Sequence, residues 1–152
     1  RKDSCLEHDV KFLDSLIHDA EFKASDVIKG KKNLTIKLRR YCWEYGRQKK
    51  SGQLLQADST LTFSNIESLD IIHGRMQLTS QYTGTILPEP GESKDNDMTY
   101  SISDFFLAES SYLKRNYKID LVLAGYPRRW QVRISSYLEK LSVKLQDITP
   151  PQ

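Results

Sequence analysis

His18-Asp19 is the nearest thing in this 152-residue chain to an acid–base pair. A carboxylate beside an imidazole could move a proton. The same two residues also close an apolar helical stripe. There an imidazole can meet orphan carbonyls and an aspartate can hydrogen-bond the turn that follows, so the structural role is the one the sequence favours. His8 lies on another part of the same stretch and His73 ends an apolar run alone. The three histidines form no HxH or HxxxH pair, so no metal site is expected. No GxSxG or cysteine–histidine nucleophile signature is present, and the seven glycines are dispersed rather than gathered into a phosphate loop. The expectation is a chain with no catalytic residues and no cofactor.

Two clusters of arginine and aromatic residues carry binding chemistry instead. Tyr126, Arg128, Arg129 and Trp130, with Arg133 nearby, sit beside Gly125 and Pro127, where a turn would present them at a sheet end. Turn-borne Trp, Tyr and Arg are the residue types that dominate protein–protein binding energy. The second cluster is Arg39 and Arg40 with Tyr41 and Trp43, followed by Arg47, Lys49 and Lys50. Arginine beside exposed aromatics suits single-stranded nucleic acid, by phosphate contact and base stacking. The plain alternative for both is that Trp43 and Trp130 are core and the arginines are the wet side of their strands. The net charge of +3 is small for a nucleic-acid domain. A protein partner bound through Tyr126, Arg128, Arg129 and Trp130 is therefore the expected function. Nucleic-acid binding through Arg39, Arg47, Lys49 and Lys50 is the alternative.

The elements that would position these residues follow from periodicity. Leu6, Val10, Leu13 and Ile17 form one helical stripe over residues 4–18, with Ser4 and Glu7 at capping-box spacing and Glu7, Lys11 and Asp14 on the wet side. Glu21–Lys29 and Asn33–Tyr41 read as a hairpin around Gly30, with Leu34, Ile36 and Leu38 alternating against Thr35, Lys37 and Arg39. Cys42 to Tyr45 are expected to extend that second strand, and the basic stretch 46–52 to form an exposed loop. Further strands are expected over 54–63, 69–72, 77–87, 98–110, 117–124, 128–134 and 137–148, with a fraying tail after them. Residues 88–97, with two prolines and a run of charges, read as a long loop within a single domain spanning 1–152. In Arg128–Ile134, Trp130, Val132 and Ile134 share one face. The fold class is α+β and mostly β: an N-terminal helix on a bent antiparallel sheet or sandwich of about seven to nine strands.

Hydrophobic residues at 38% and charged residues at 28% fit a globular domain with one core. The two cysteines, Cys5 and Cys42, suit reduced thiols better than a bridge, and no signal peptide or membrane-length apolar run is visible. A cytoplasmic protein is expected, with no membrane partner. The HDA corner at residues 18–20, the hairpin with Leu34-Thr35-Ile36, the strand ending Leu61-Thr62-Phe63-Ser64-Asn65-Ile66 and the closing stretch Leu141 to Asp147 together form a pattern. It resembles small bacterial domains of unknown function, including immunity proteins of polymorphic toxin systems. The resemblance implies a binding protein of the toxin-inhibitor kind and brings no catalytic residue with it.

Overall fold

Helix α1 (Lys2–Ile17) ends where its apolar stripe ends. The computed structural model describes residues 2–73, 76–78, 84–85, 98–108 and 118–152, with side chains described for 8–72, 98–108 and 118–152. The loop expected over 88–97 lies outside the described residues, as does much of the strand expected over 77–87. Within α1, Val10 and Ile17 are buried and Leu13 is partly buried against the same core. Asp14, expected on the wet side, instead accepts a hydrogen bond from the Phe105 backbone N–H at 2.9 Å, which ties the helix to the sheet. No helix among the described residues is long and apolar enough to cross a membrane.

Eleven strands follow among the described residues: β1 (Glu21–Lys23), β2 (Val27–Lys29), β3 (Asn33–Tyr41), β4 (Gln56–Ser64), β5 (Ser68–His73), β6 (Met76–Leu78), β7 (Gly84–Thr85), β8 (Thr99–Leu107), β9 (Lys118–Tyr126), β10 (Trp130–Tyr137) and β11 (Ser142–Asp147). They form one antiparallel sheet rather than two stacked ones, in the order β11-β4-β3-β1-β8-β9-β10-β5-β6, with β2 attached to β3 and β7 to β2. The sheet bends strongly. Phe63 of β4 meets Phe105 of β8 edge-on at 5.9 Å, although β3 and β1 lie between their strands. Asn65, at φ 63°, turns the chain after β4, and the Glu67 N–H then donates to the Ser135 carbonyl of β10 at 2.9 Å.

Alternation decides which side chains meet in the core. Leu34, Ile36 and Leu38 of β3, Leu61 and Phe63 of β4, and Trp130, Val132 and Ile134 of β10 all face inward with Val10 and Ile17. Two expected continuities are broken. The stretch Glu21–Lys29 is interrupted by a 3-10 turn at Ala24–Asp26, where the Asp26 carboxylate accepts the Lys23 N–H at 2.9 Å. Residues Trp43–Tyr45 form a second 3-10 turn instead of extending β3, closed by the Gly46 N–H on the Trp43 carbonyl. The tail does not fray as expected. The backbones of Gln56 and Gln152 exchange hydrogen bonds at 2.8 and 2.9 Å, and Ile148 N–H reaches the Asp58 carbonyl.

Leu13 tests how the helix is held. It is only partly buried, so Leu13→Ala is expected to destabilise by about 1–2 kcal/mol, below the range for fully buried leucines. Urea unfolding checks this: the midpoint should fall with the slope unchanged. An unchanged midpoint would mean that this part of the stripe faces solvent.

Candidate functional site

On the face of the sheet away from the core, the strand register assembles a row of polar side chains. Gln56 of β4 stands opposite Tyr41 of β3. The Tyr41 hydroxyl donates to the Glu21 carboxylate in β1 at 3.0 Å. Glu21 stands opposite Ser101 of β8, and Ser101 opposite Tyr126 at the end of β9. The row therefore crosses five strands drawn from distant parts of the chain.

Along this row lies a cleft of about 520 Å³, lined by Tyr41, Trp43 and Arg47 together with Asp19, Ser101 and Tyr126, and by Gln53 and Gln56. The helix end supplies Asp19. It occupies the left-handed region (φ 62°) just past the last turn, with the Ala20 N–H bonded to the Ile17 carbonyl and the Asp19 N–H bonded to the Ile102 carbonyl. Those backbone bonds leave the carboxylate free to point outward, where it accepts the Tyr126 hydroxyl at 3.0 Å. Trp43 is fixed from its own turn: its indole N–H donates to the His18 carbonyl at 2.8 Å, satisfying one acceptor at the helix end. The His18 and Trp43 rings are 5.9 Å apart, and those of Tyr41 and Trp43 are 6.0 Å apart.

Electrostatics at the cleft follow from those bonds. The hydrogen bond to Glu21 pushes the Tyr41 hydroxyl above its ordinary pKa. The hydrogen bond to Asp19 does the same for Tyr126, with Ser101 opposing it weakly. Both phenols thus stay protonated at neutral pH. His18 Nε2 stands 3.6 Å from Asp19 Oδ2, while Asp19 Oδ1 accepts the Tyr126 hydroxyl. A second cleft, of about 480 Å³, opens where β1 and β3 diverge after their single pair, Glu21 with Arg39. Its rim mixes Lys23, Lys37 and Arg39 with Asp26 and Asp58.

The residues expected to bind a protein are divided by the structure. Tyr126 is 45% exposed, and Arg128 and Arg129 are exposed in the turn after it. Trp130 does not belong with them: at 1% exposure it is core, its ring tilted against that of Phe22 with centroids 4.6 Å apart. The reason is parity. Trp130 pairs with Gly125 and shares the inward face of Val132 and Ile134, whereas Tyr126 faces outward.

The basic set is also divided. Arg39 lies on the outer face but is bonded to Gln56 at 2.6 Å and Asp58 at 3.0 Å. Arg40 is buried in an ion cluster with Glu44 and Asp147. Arg47 turns one guanidinium nitrogen onto the Gly52 carbonyl of its own small hairpin at 2.9 Å, and Lys49 and Lys50 stand exposed at the tip. The cleft brings Tyr126 from the first set and Arg47 from the second to one place, together with Asp19, Tyr41 and Trp43. Sequence reasoning weighed His18-Asp19 only for proton transfer or capping and missed the carboxylate's bond to Tyr126. The outward parity of Arg39 and Tyr41 was readable, but their neighbours across the sheet were not.

Among the described residues no group of three or more His, Cys, Asp or Glu side chains could hold a metal ion. Compared with family models, with curated proteins and with solved structures, the chain matches none.

Proposed function

We propose that this chain is a non-catalytic protein-interaction domain whose partner seats in the cleft between the helix end, the Trp43 turn and Tyr126. The supporting observation is that aromatic side chains lining it are hydrogen-bonded into fixed positions, the exposed Tyr126 on Asp19 and the half-buried Trp43 on the His18 carbonyl. Rigid, amphipathic rings that lose little entropy on contact are what makes a binding hot spot. An inhibitor of a toxin, the role implied by the sequence resemblance, is the special form this reading takes if the partner is an enzyme. Cys42, buried and free, suits a cytoplasmic setting.

Affinity capture from the native cell tests the reading, with Trp43→Ala and Tyr126→Ala compared with wild type and with Lys31→Ala in the turn that precedes β3. Capture should fall about tenfold or more in the two cleft variants, as hot-spot truncations do, while unfolding midpoints stay close to wild type. Equal capture by all four proteins would overturn it. The nucleic-acid alternative has its own check. Carboxylates beside the aromatics disfavour phosphate, so labelled single strands at low ionic strength should show no binding at protein concentrations on the order of tens of micromolar. Salt-sensitive binding lost in an Arg47→Ala, Lys49→Ala double variant would favour the alternative instead.

A further inference from the structure

We infer that the group this cleft accepts is a cation, an arginine or lysine side chain presented by the partner protein. The inference rests on the proposed binding role and names the chemistry that would be recognised. Tyr41 and Trp43 stand 6.0 Å apart with their planes inclined at 56°, forming two walls of an aromatic corner, and Tyr126 lines the same cleft. Faces of Trp and Tyr attract cations through the ring quadrupole. A tyrosine whose hydroxyl donates to a carboxylate has a more electron-rich ring, and both tyrosines here are so bonded, Tyr41 to Glu21 and Tyr126 to Asp19. The Asp19 carboxylate, which lines the cleft, keeps lone pairs that a guanidinium or ammonium could use.

Asp19 adds a separate observation. It holds a left-handed backbone conformation that glycine adopts without steric cost, yet a charged side chain stands there, aimed into the cleft. Arg39 is answered by Asp58 at 3.0 Å, and Arg47, which also lines the cleft and keeps its charge, has a guanidinium nitrogen turned to the Gly52 carbonyl. His18 lies beside Asp19 at 3.6 Å. An incoming cation would seat against Asp19, with its apolar stem along Trp43 and Tyr126.

Intrinsic fluorescence reads this directly, because Trp43 borders the cleft while Trp130 is sealed in the core. The probes are three five-residue Gly/Ser peptides with arginine, citrulline or glutamate at the centre, titrated to about 5 mM. Arginine should perturb Trp43 emission, with citrulline at least about tenfold weaker and glutamate inert. Asp19→Gly, which relaxes the backbone rather than straining it, should weaken the arginine peptide about tenfold without lowering the unfolding midpoint. Tyr126→Phe, which keeps the ring and drops the hydroxyl, should weaken it less. Equal binding of arginine and citrulline, preference for glutamate, or no response from any peptide would overturn the inference. The two levels separate in the capture experiment. If capture is lost in Trp43→Ala but kept in Asp19→Gly, the binding face stands and the cation does not. If both variants capture normally, the binding face itself is wrong.

Discussion

Trp130→Ala is expected to destabilise the protein by about 3–5 kcal/mol, the range for truncating a buried large aromatic. Trp130 packs on Phe22 with ring centroids 4.6 Å apart and lies against Gly125, its partner in the ladder. Space there is already fully used: a Cβ added to Gly125 would stand 3.1 Å from the Ser101 carbonyl oxygen and 3.3 Å from the Trp130 ring. Alanine at position 130 would thus leave a cavity at the centre of the β8, β9 and β10 contact. Trp130→Phe should cost far less, about 1–2 kcal/mol, because the indole N–H has no hydrogen-bond partner among the described residues and no such bond is lost. Urea unfolding of both variants checks the contrast. Equal small losses would mean that the tryptophan is not core. Trp130 also sits four residues beyond Tyr126, so its removal would loosen the end of β9 that carries the cleft.

Arg40→Ala is expected to cost about 3 kcal/mol, the low end for breaking a buried ion pair. The guanidinium, 4% exposed, donates to Asp147 at 2.8 and 2.9 Å and to Glu44 at 2.9 and 2.7 Å. Ser59 donates to the same Asp147 carboxylate at 2.7 Å. The carboxylates keep 34% and 32% exposure, so water would recover part of the loss once the arginine is gone. This cluster joins β3, β11 and the turn that bears Trp43, so the variant should also weaken partner capture through the position of Trp43.

The same cluster sets a pH dependence. Hydrogen bonds from Arg40 hold the Glu44 and Asp147 carboxyls below the usual carboxylate range. Their stabilisation is complete above the ordinary carboxylate pKa near about 4 and is lost as the pH falls through their lower folded values. Asp14 acts in the opposite sense. Burial raises its carboxyl, so its charged form costs stability at neutral pH, and that cost disappears on acidification. Unfolding midpoints measured from neutral pH down to about pH 3 should fall for the wild type and fall less for Arg40→Ala, which has already lost the cluster. Parallel curves would show that the cluster contributes nothing.

Residue order alone determined everything that depends on local periodicity. The stripe through Val10 and Ile17 makes one wet and one dry helix face, and the alternation of Leu34, Ile36 and Leu38 makes β3. The same alternation, read through Trp130, Val132 and Ile134, already placed Trp130 inside, and weighting its residue type over its parity sent it to the surface. Arg40 keeps the inward phase of β3 as a charge, as Lys29 does in β2. For Arg40 that is tolerable because Glu44 and Asp147, the latter 107 residues later, pair with it. The break at Ala24–Asp26, the turn at Trp43–Tyr45 and the row from Gln56 to Tyr126 needed the tertiary structure. So did the Asp19–Tyr126 bond, which also spans 107 residues. A strand's pattern says which side chains share a face, whereas its neighbours and register are set by long-range pairing and by the bend of the whole sheet. The cleft is made of register, and only the folded sheet contains it.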